Sequence, residues 1–128
     1  MTPVTFLRRV LFADAIASFG SAALMIAAPA AVAELTGLSP ALLLEAGVVL
    51  VPFVLMVLAV ATRRDIPRLG VKAIVAINVL WVIGSVAVLA ATSPTALGYA
   101  FVIVQAVAVG VFAELQIVGL KRTAQATA

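Results

Sequence analysis

Between two long apolar runs lies the segment Arg63-Arg64-Asp65-Ile66-Pro67-Arg68-Leu69-Gly70-Val71-Lys72, which holds four of the eight basic residues of the chain. The other four form two pairs, Arg8-Arg9 before the first apolar run and Lys121-Arg122 after the last one. Lys and Arg beside membrane spans are retained on the cytoplasmic side. A chain that crosses four times would place all three clusters and both termini there, so the sequence predicts four spans in this orientation.

The apolar runs are long enough to cross the hydrocarbon core of a bilayer, which takes about 20 helical residues. We predict spans at about residues 10–28, 40–62, 70–91 and 97–120. They form one transmembrane domain that covers residues 1–128. Residues 29–38 are too few to cross and mildly amphipathic, so we expect a short helix at the outer interface. Ser39-Pro40 is a typical helix start, and the tail after Arg122 is expected to be disordered.

A cleavable signal peptide is the alternative interpretation of the first run. Ala31-Val32-Ala33 has the small-residue pattern of a cleavage site, and Arg8-Arg9 would supply the basic segment before it. The apolar run is longer than the roughly 7–15 residues of a signal sequence. We therefore predict that it is a membrane span.

The composition excludes several classes of protein. Hydrophobic residues make up 66% of the chain and charged residues 10%, against roughly 45–50% and about 25% in soluble domains. The net charge of +3 is explained by basic clusters that face anionic headgroups, so we predict a lipid bilayer as partner and no nucleic acid. The chain has no Cys and no His. Thiolate and imidazole metal sites and His-based catalysis are thereby excluded, and we predict no metal and no cofactor.

The two halves of the chain look like copies of one helical hairpin. The matched residues are Arg8 with Lys72, Asp14 with Asn78, Gly20-Ser21 with Gly84-Ser85, and Glu45 with Gln105. The predicted fold is an all-α four-helix membrane bundle, made of two tandem hairpins related by a pseudo-two-fold axis along the membrane normal if the duplication is real. Gly20 and Gly84 would then mark matching close helix contacts. The alternative is a chance match between apolar helices of low complexity.

Polar residues within the spans are the candidate functional residues, because burying them in a membrane is costly. The candidate polar cluster consists of Asp14, Asn78, Glu114 and Lys72. Since Asp14 and Asn78 match in depth, we expect them to form a hydrogen-bonded structural clasp. Glu114 lies about 180° around the fourth helix from Gln105. It is therefore protonated, or paired with a donor from a partner protein, or rotated into the core beside Asp14. Gly110 and Glu114 form the candidate interface.

Trp81 lies in the middle of the third span, although Trp prefers membrane interfaces. With Ser21 and Ser85 it forms a candidate wall, which either lines a ligand site or fills the space between helices.

Two resemblances bear on function. In length, span count and the acid Asp14 in its first helix, the chain resembles the small multidrug resistance family, but the aromatic and glycine motifs of that family's later helices have no match here. The overall pattern, including Asn78-Val79-Leu80-Trp81-Val82, resembles uncharacterised small four-span proteins of the bacterial inner membrane, loosely grouped as DoxX-like. The second resemblance implies a multi-pass inner-membrane protein and no particular activity.

These features favour a protein without catalytic activity. It would act as an accessory subunit of a larger membrane complex, as a parallel homo-oligomer, or as a binder of a lipid, quinone or pigment. The alternative is a small proton-coupled transporter that uses Asp14 and Glu114, since intramembrane carboxylates commonly relay protons. The chain offers no nucleophile–base pair, metal cluster or phosphate-binding loop, so we predict that it is not an enzyme.

Overall fold

The computed structural model describes the backbone of residues 2–127 and the side chains of residues 2–125. The chain forms five helices, α1 (Pro3–Ala27), α2 (Pro29–Thr36), α3 (Pro40–Ala61), α4 (Arg68–Ala91) and α5 (Ala96–Thr127). Four of them, α1, α3, α4 and α5, are long and apolar enough to cross a membrane. The predicted all-α fold with four spans is confirmed.

The helix starts follow from local capping chemistry. The Ser39 hydroxyl accepts a hydrogen bond from the Leu42 amide at 3.0 Å, and Pro40 occupies the first helical position, where its missing amide hydrogen costs nothing. The predicted start at Ser39-Pro40 is therefore confirmed. Gly37 ends α2 with φ of 73°, a left-handed conformation that glycine adopts without strain. This turn reverses the chain between α2 and α3.

The four long helices form a ring in the order α1, α3, α4, α5. α1 packs against α3 and α5, and α4 packs mainly against α5. α1 and α4 lie diagonally across the ring, and within the described residues no pair of their Cα atoms comes within 8 Å. We call the end that carries the basic clusters the basic end, and the end formed by α2 and the turn at residues 92–95 the distal end.

Packing is tightest in the half near the basic end. The fully buried apolar side chains of largest volume are Leu7, Leu11, Val57, Val71 and Ile74, and all of them lie in that half. Gly119 allows close approach there, because a Cβ atom at this position would lie 2.9 Å from Leu7 Cδ1. On the distal side Gly47 has a similar role, since its Cβ would lie 2.9 Å from Ile26 Cγ1.

The prediction that Gly20 and Gly84 are close helix contacts is wrong. A Cβ atom at either position would meet no atom within 4 Å, and both residues are exposed. The reason is that the contact between α1 and α3 uses Gly47 of α3, whereas the contact between α1 and α5 uses Gly119 of α5. A small residue permits close approach but does not determine which helix makes it.

Two arginines fasten the helix ends at the basic end. The Arg8 guanidinium donates to the carbonyl oxygens of Ala61, of Arg63 at 2.7 Å and of Arg64 at 3.1 Å. The Arg68 guanidinium donates to the Leu120 carbonyl at 3.0 Å and to the Thr123 hydroxyl at 3.1 Å. The Ala61 carbonyl, in the last residue of α3, lacks a helical partner, and such carbonyls attract cations. Each hairpin thus has an arginine near the start of its first long helix that binds its second long helix at the basic end.

This arrangement changes one proposed match of the duplication. The sequence pattern pairs Arg8 with Lys72, but Lys72 is exposed and Arg68 has the role equivalent to that of Arg8. The duplication itself stays a hypothesis.

Two helix boundaries also differ from the prediction. α1 begins seven residues before the predicted span, at Pro3, because its first turn is capped by the Thr2 hydroxyl. α5 extends to Thr127, so the predicted disorder of residues 123–127 is wrong, and Ala128 lies outside the described residues. Thr123 donates to the Leu120 carbonyl at 2.8 Å and accepts from Arg68, which ties the last turns of α5 to α4.

α2 closes the distal end. Its residues Val32 and Thr36 are buried, and the turn before α5 is bound to its C-terminus, since the Thr95 amide donates to the Thr36 carbonyl at 2.9 Å. The Thr95 hydroxyl donates to the Leu35 carbonyl at 2.7 Å. The short helix predicted for residues 29–38 is therefore present, and it joins the two hairpins.

Candidate functional site

Three side chains from three helices meet in the middle of the bundle, and we call them the polar clasp: Asp14 of α1, Asn78 of α4 and Gln116 of α5. Asp14 Oδ2 accepts from Asn78 Nδ2 at 2.8 Å and from Gln116 Nε2 at 2.7 Å. Asn78 Nδ2 also donates to Gln116 Oε1 at 3.1 Å. Asp14 and Gln116 are completely buried and Asn78 is 3% exposed. The predicted bond between Asp14 and Asn78 is thus present.

The Asp14 carboxylate acts only as an acceptor in these contacts. Its second oxygen, Oδ1, accepts from the Ser18 hydroxyl one turn further along α1 at 3.2 Å. Among the described side chains none forms an ion pair with Asp14. Hydrogen-bond donors compensate for part of the lost hydration of a buried carboxylate. The clasp therefore does two things, since it bridges the diagonal between α1 and α4 and keeps an acidic group in the apolar interior.

Gln116 belongs to the clasp, although it was not among the candidate residues. The available signal was its position on one stripe of α5 with Gln105 and Phe112. All three side chains face inward in the structure. Because Glu114 lies on the opposite stripe, sequence alone left open which face of the helix turns to the core.

Glu114 and Lys72 are not brought into the cluster. Both side chains are exposed, and among the described residues Glu114 makes no hydrogen bond or ion pair. Rotation of Glu114 into the core beside Asp14 is therefore ruled out. Gly110, the other candidate interface residue, lies one turn away from Glu114 on α5, with open space where a Cβ would be.

A cavity of about 430 Å³ occupies the distal half of the bundle, and we call it the distal cavity. All four long helices contribute to its wall, with Ser21 and Met25 from α1, Leu43 from α3, Trp81 and Ser85 from α4, and Gln105 from α5. No charged side chain lines it within the described part of the chain. Leu80 lines the cavity and is also 65% exposed, so the cavity reaches the outer surface of the bundle beside α4.

The wall residues predicted from the sequence, Trp81, Ser21 and Ser85, all line the distal cavity. A chain of hydrogen bonds fixes two of them. Trp81 Nε1 donates to Gln105 Oε1 at 2.6 Å, Gln105 Nε2 donates to Ser85 Oγ at 2.9 Å, and Ser85 Oγ donates to the Trp81 carbonyl at 2.7 Å. Gln105 Nε2 also donates to the Val102 carbonyl at 2.9 Å. The indole is therefore held by a closed network and forms a rigid part of the wall.

A smaller space of about 40 Å³ lies between the distal cavity and the polar clasp, and we call it the niche. Its wall includes Ser18, Leu50, Phe53, Asn78, Trp81 and Val109. Ser18 and Trp81 also line the distal cavity, so the two spaces share a boundary. Since Ser18 and Asn78 both bond to Asp14, the niche brings the distal cavity within one side chain of the buried carboxylate.

Comparisons with protein families, characterised proteins and solved structures gave no match to this chain. The resemblance to DoxX-like proteins stays an expectation from the sequence. The distal cavity, the niche and the polar clasp are the candidate functional features within the described residues.

Proposed function

We propose that this chain is a small non-catalytic protein of the bacterial inner membrane that binds a lipophilic small molecule within its helix bundle. The observation that carries the proposal is the distal cavity of about 430 Å³. Binding sites for small molecules typically measure about 300–1,000 Å³ and combine an apolar wall with a few fixed polar groups. The distal cavity has both features.

The wall chemistry favours a lipophilic ligand. Leu, Val, Phe, Met and Ala side chains make up most of it, and its polar groups are hydroxyls, an amide and an indole. A ligand dissolved in the bilayer would enter past Leu80 without crossing water. The bonded network of Trp81, Gln105 and Ser85 holds the indole in place before the ligand binds. Binding against it would therefore cost little side-chain entropy.

The orientation follows from the basic residues. With all eight Lys and Arg residues on the cytoplasmic side, both termini are cytoplasmic and the distal cavity lies in the outer half of the membrane. A ligand would then exchange with the outer leaflet.

The proposal also includes a partner for the outer face of α5. An ionised Glu114 that faces lipid is costly, and its side chain is exposed without a partner among the described residues. A neighbouring subunit that covers Gly110 and Glu114, in a parallel homo-oligomer or in a larger membrane complex, would supply the missing donor. The transporter alternative has less support, since Asp14 is enclosed by three donors and Glu114 lies on another face.

Native mass spectrometry of the protein in nanodiscs of native lipid tests ligand binding. The wild-type protein should retain a small molecule of defined mass. Gly84→Leu should reduce the retained amount at least tenfold, because Gly84 lines the distal cavity and has room for a side chain. Gly20→Leu is the matched control, since Gly20 is an equally open helical glycine that does not line the cavity. Equal retention in both variants would contradict the proposal.

A further inference from the structure

We propose that the ligand carries a protonated amine, which lies in the niche near Asp14 while its apolar body fills the distal cavity. This inference rests on the proposed ligand-binding function and adds the chemical class of the ligand. It follows from the unused hydrogen-bonding capacity of the two spaces and from the charge beside them.

The N–H donors that line the distal cavity and the niche are all in use. The single N–H of Trp81 is bonded to Gln105. Both hydrogens of Gln105 Nε2 are used, one by Ser85 and one by Val102, and both hydrogens of Asn78 Nδ2 are used within the polar clasp. A ligand with a carbonyl or carboxylate head group would therefore find no amide or indole donor for it.

Acceptor capacity remains at the same places. Asn78 Oδ1 and Ser18 Oγ accept no hydrogen bond from the described residues, and a hydroxyl or amide oxygen has two lone pairs. Both residues line the niche. One hydroxyl that lines the distal cavity is free both to donate and to accept, because Ser21 makes no side-chain hydrogen bond in the described part of the chain. The niche thus favours a head group that donates.

The charge beside the niche favours a cationic donor over a neutral one. Asp14 is completely buried and lacks an ion pair within the described residues. Attraction between opposite charges is strong where water is excluded. Ser18 and Asn78 line the niche and both bond to the Asp14 carboxylate. An ammonium group bound to either of them would therefore lie one side chain away from the carboxylate.

The size and the walls of the niche fit such a group. A space of about 40 Å³ holds a group of the size of one or two water molecules, which suits an ammonium and excludes a bulky head group. Trp81 lines the niche, and the indole ring is the best aromatic partner for a cation. The shared boundary at Ser18 and Trp81 lets one molecule occupy both spaces.

A series of three probes with the same alkyl chain tests the inference. Dodecylamine, dodecanol and dodecanoate would be titrated at neutral pH into nanodiscs of zwitterionic phosphatidylcholine, with the fluorescence of Trp81, the single Trp of the chain, as the signal. Gly84→Leu, with its cavity filled, gives the background from partition into the bilayer. After that correction we expect dodecylamine to bind at least about tenfold more tightly than dodecanol, and dodecanoate to bind more weakly than both.

Asp14→Asn keeps the shape of the side chain and removes the charge. It should remove the preference for the amine, so that dodecylamine and dodecanol bind the variant with affinities within about twofold of each other. Three results would overturn the inference and leave the proposed ligand binding intact. They are equal binding of dodecylamine and dodecanol to the wild type, tighter binding of dodecanoate than of dodecylamine, and an unchanged preference for the amine in Asp14→Asn. Absence of a cavity-dependent signal with all three probes would instead contradict the proposed function, and the inference with it.

Discussion

The two halves of the bundle are built from the same four apolar helices but pack differently. In the half near the basic end, Leu7, Leu11, Val57 and Val71 are buried almost completely, and Gly119 brings α5 against Leu7. In the distal half the same four helices enclose a cavity of about 430 Å³. The two halves also differ in what lies on the diagonal between α1 and α4. Near the middle the polar clasp bridges these two helices, and further out both of them line the distal cavity.

Two of the carboxylates within the spans, Asp14 and Glu114, have separate roles. Asp14 holds three helices together by bonds to Asn78 and Gln116. Glu114 lies on the outer surface of α5 and makes no bond to the other helices within the described residues. Intramembrane acids in one chain can thus have different roles, and the contacts that each one makes distinguish them.

Replacement of these two acids should give the largest contrast in stability. Asp14→Leu removes the acceptor for Asn78 and Gln116, and interhelical hydrogen bonds in membranes contribute about 0.6–2 kcal/mol each. We expect a loss of about 2–4 kcal/mol in the free energy of unfolding, measured by denaturation with SDS in mixed micelles. Glu114→Leu is the matched control and should leave the monomer's unfolding almost unchanged. An equal loss in both variants would show that Asp14 has no special structural role.

Added volume should separate the tight half from the open half. Gly119→Ala places a Cβ 2.9 Å from Leu7 Cδ1 and 3.1 Å from Leu7 Cβ, and overpacking of this kind typically costs about 1–3 kcal/mol. Gly84→Ala meets no atom within 4 Å and should be neutral or stabilising by up to about 1 kcal/mol, because Ala has the higher helix propensity. The same SDS titrations measure both. Similar destabilisation by the two changes would contradict the difference in packing.

A smaller effect is expected from the network in the distal half. Trp81→Phe removes the hydrogen bond to Gln105 Oε1 and keeps an aromatic ring, so unfolding should become easier by only about 0.5–1.5 kcal/mol. The amount of bound molecule retained in native mass spectrometry should also fall, since the wall of the cavity changes shape. Trp81→Phe with full retention of the ligand would exclude the indole from the binding site.

The side of the membrane that each half faces is tested by labelling with an impermeant thiol reagent. Ser93→Cys, in the exposed distal turn, should be labelled from the periplasm in intact cells. Gln125→Cys, exposed near the end of α5, should be labelled only after the membrane is opened. Labelling of residue 125 in intact cells would reverse the predicted orientation of the two halves.

The spans and part of the clasp could be predicted from the sequence, because hydropathy identifies crossing helices and matched depth pairs Asp14 with Asn78. Gln116 could not be chosen over Glu114, since the two lie on opposite faces of one helix and each face has polar residues. Gly20 and Gly84 were misassigned because a glycine does not specify its neighbour. Trp81, Ser21 and Ser85 could be predicted as one wall, but the sequence does not determine whether that wall encloses a cavity or packs against a neighbour, because this results from packing among all four helices.

The most direct test of the central claim, an apolar cavity beside Trp81 that opens to lipid, is the quenching of Trp81 fluorescence by phospholipids with brominated acyl chains. In the wild-type protein freed of ligand, brominated chains should reach the indole and quench it strongly. Gly84→Leu should protect Trp81 by filling the distal cavity, whereas Gly20→Leu should be quenched like the wild type. Equally strong quenching in all three proteins would show that lipid reaches Trp81 by another route. Equally weak quenching in all three would show that the cavity is closed to lipid. Either result would contradict the account.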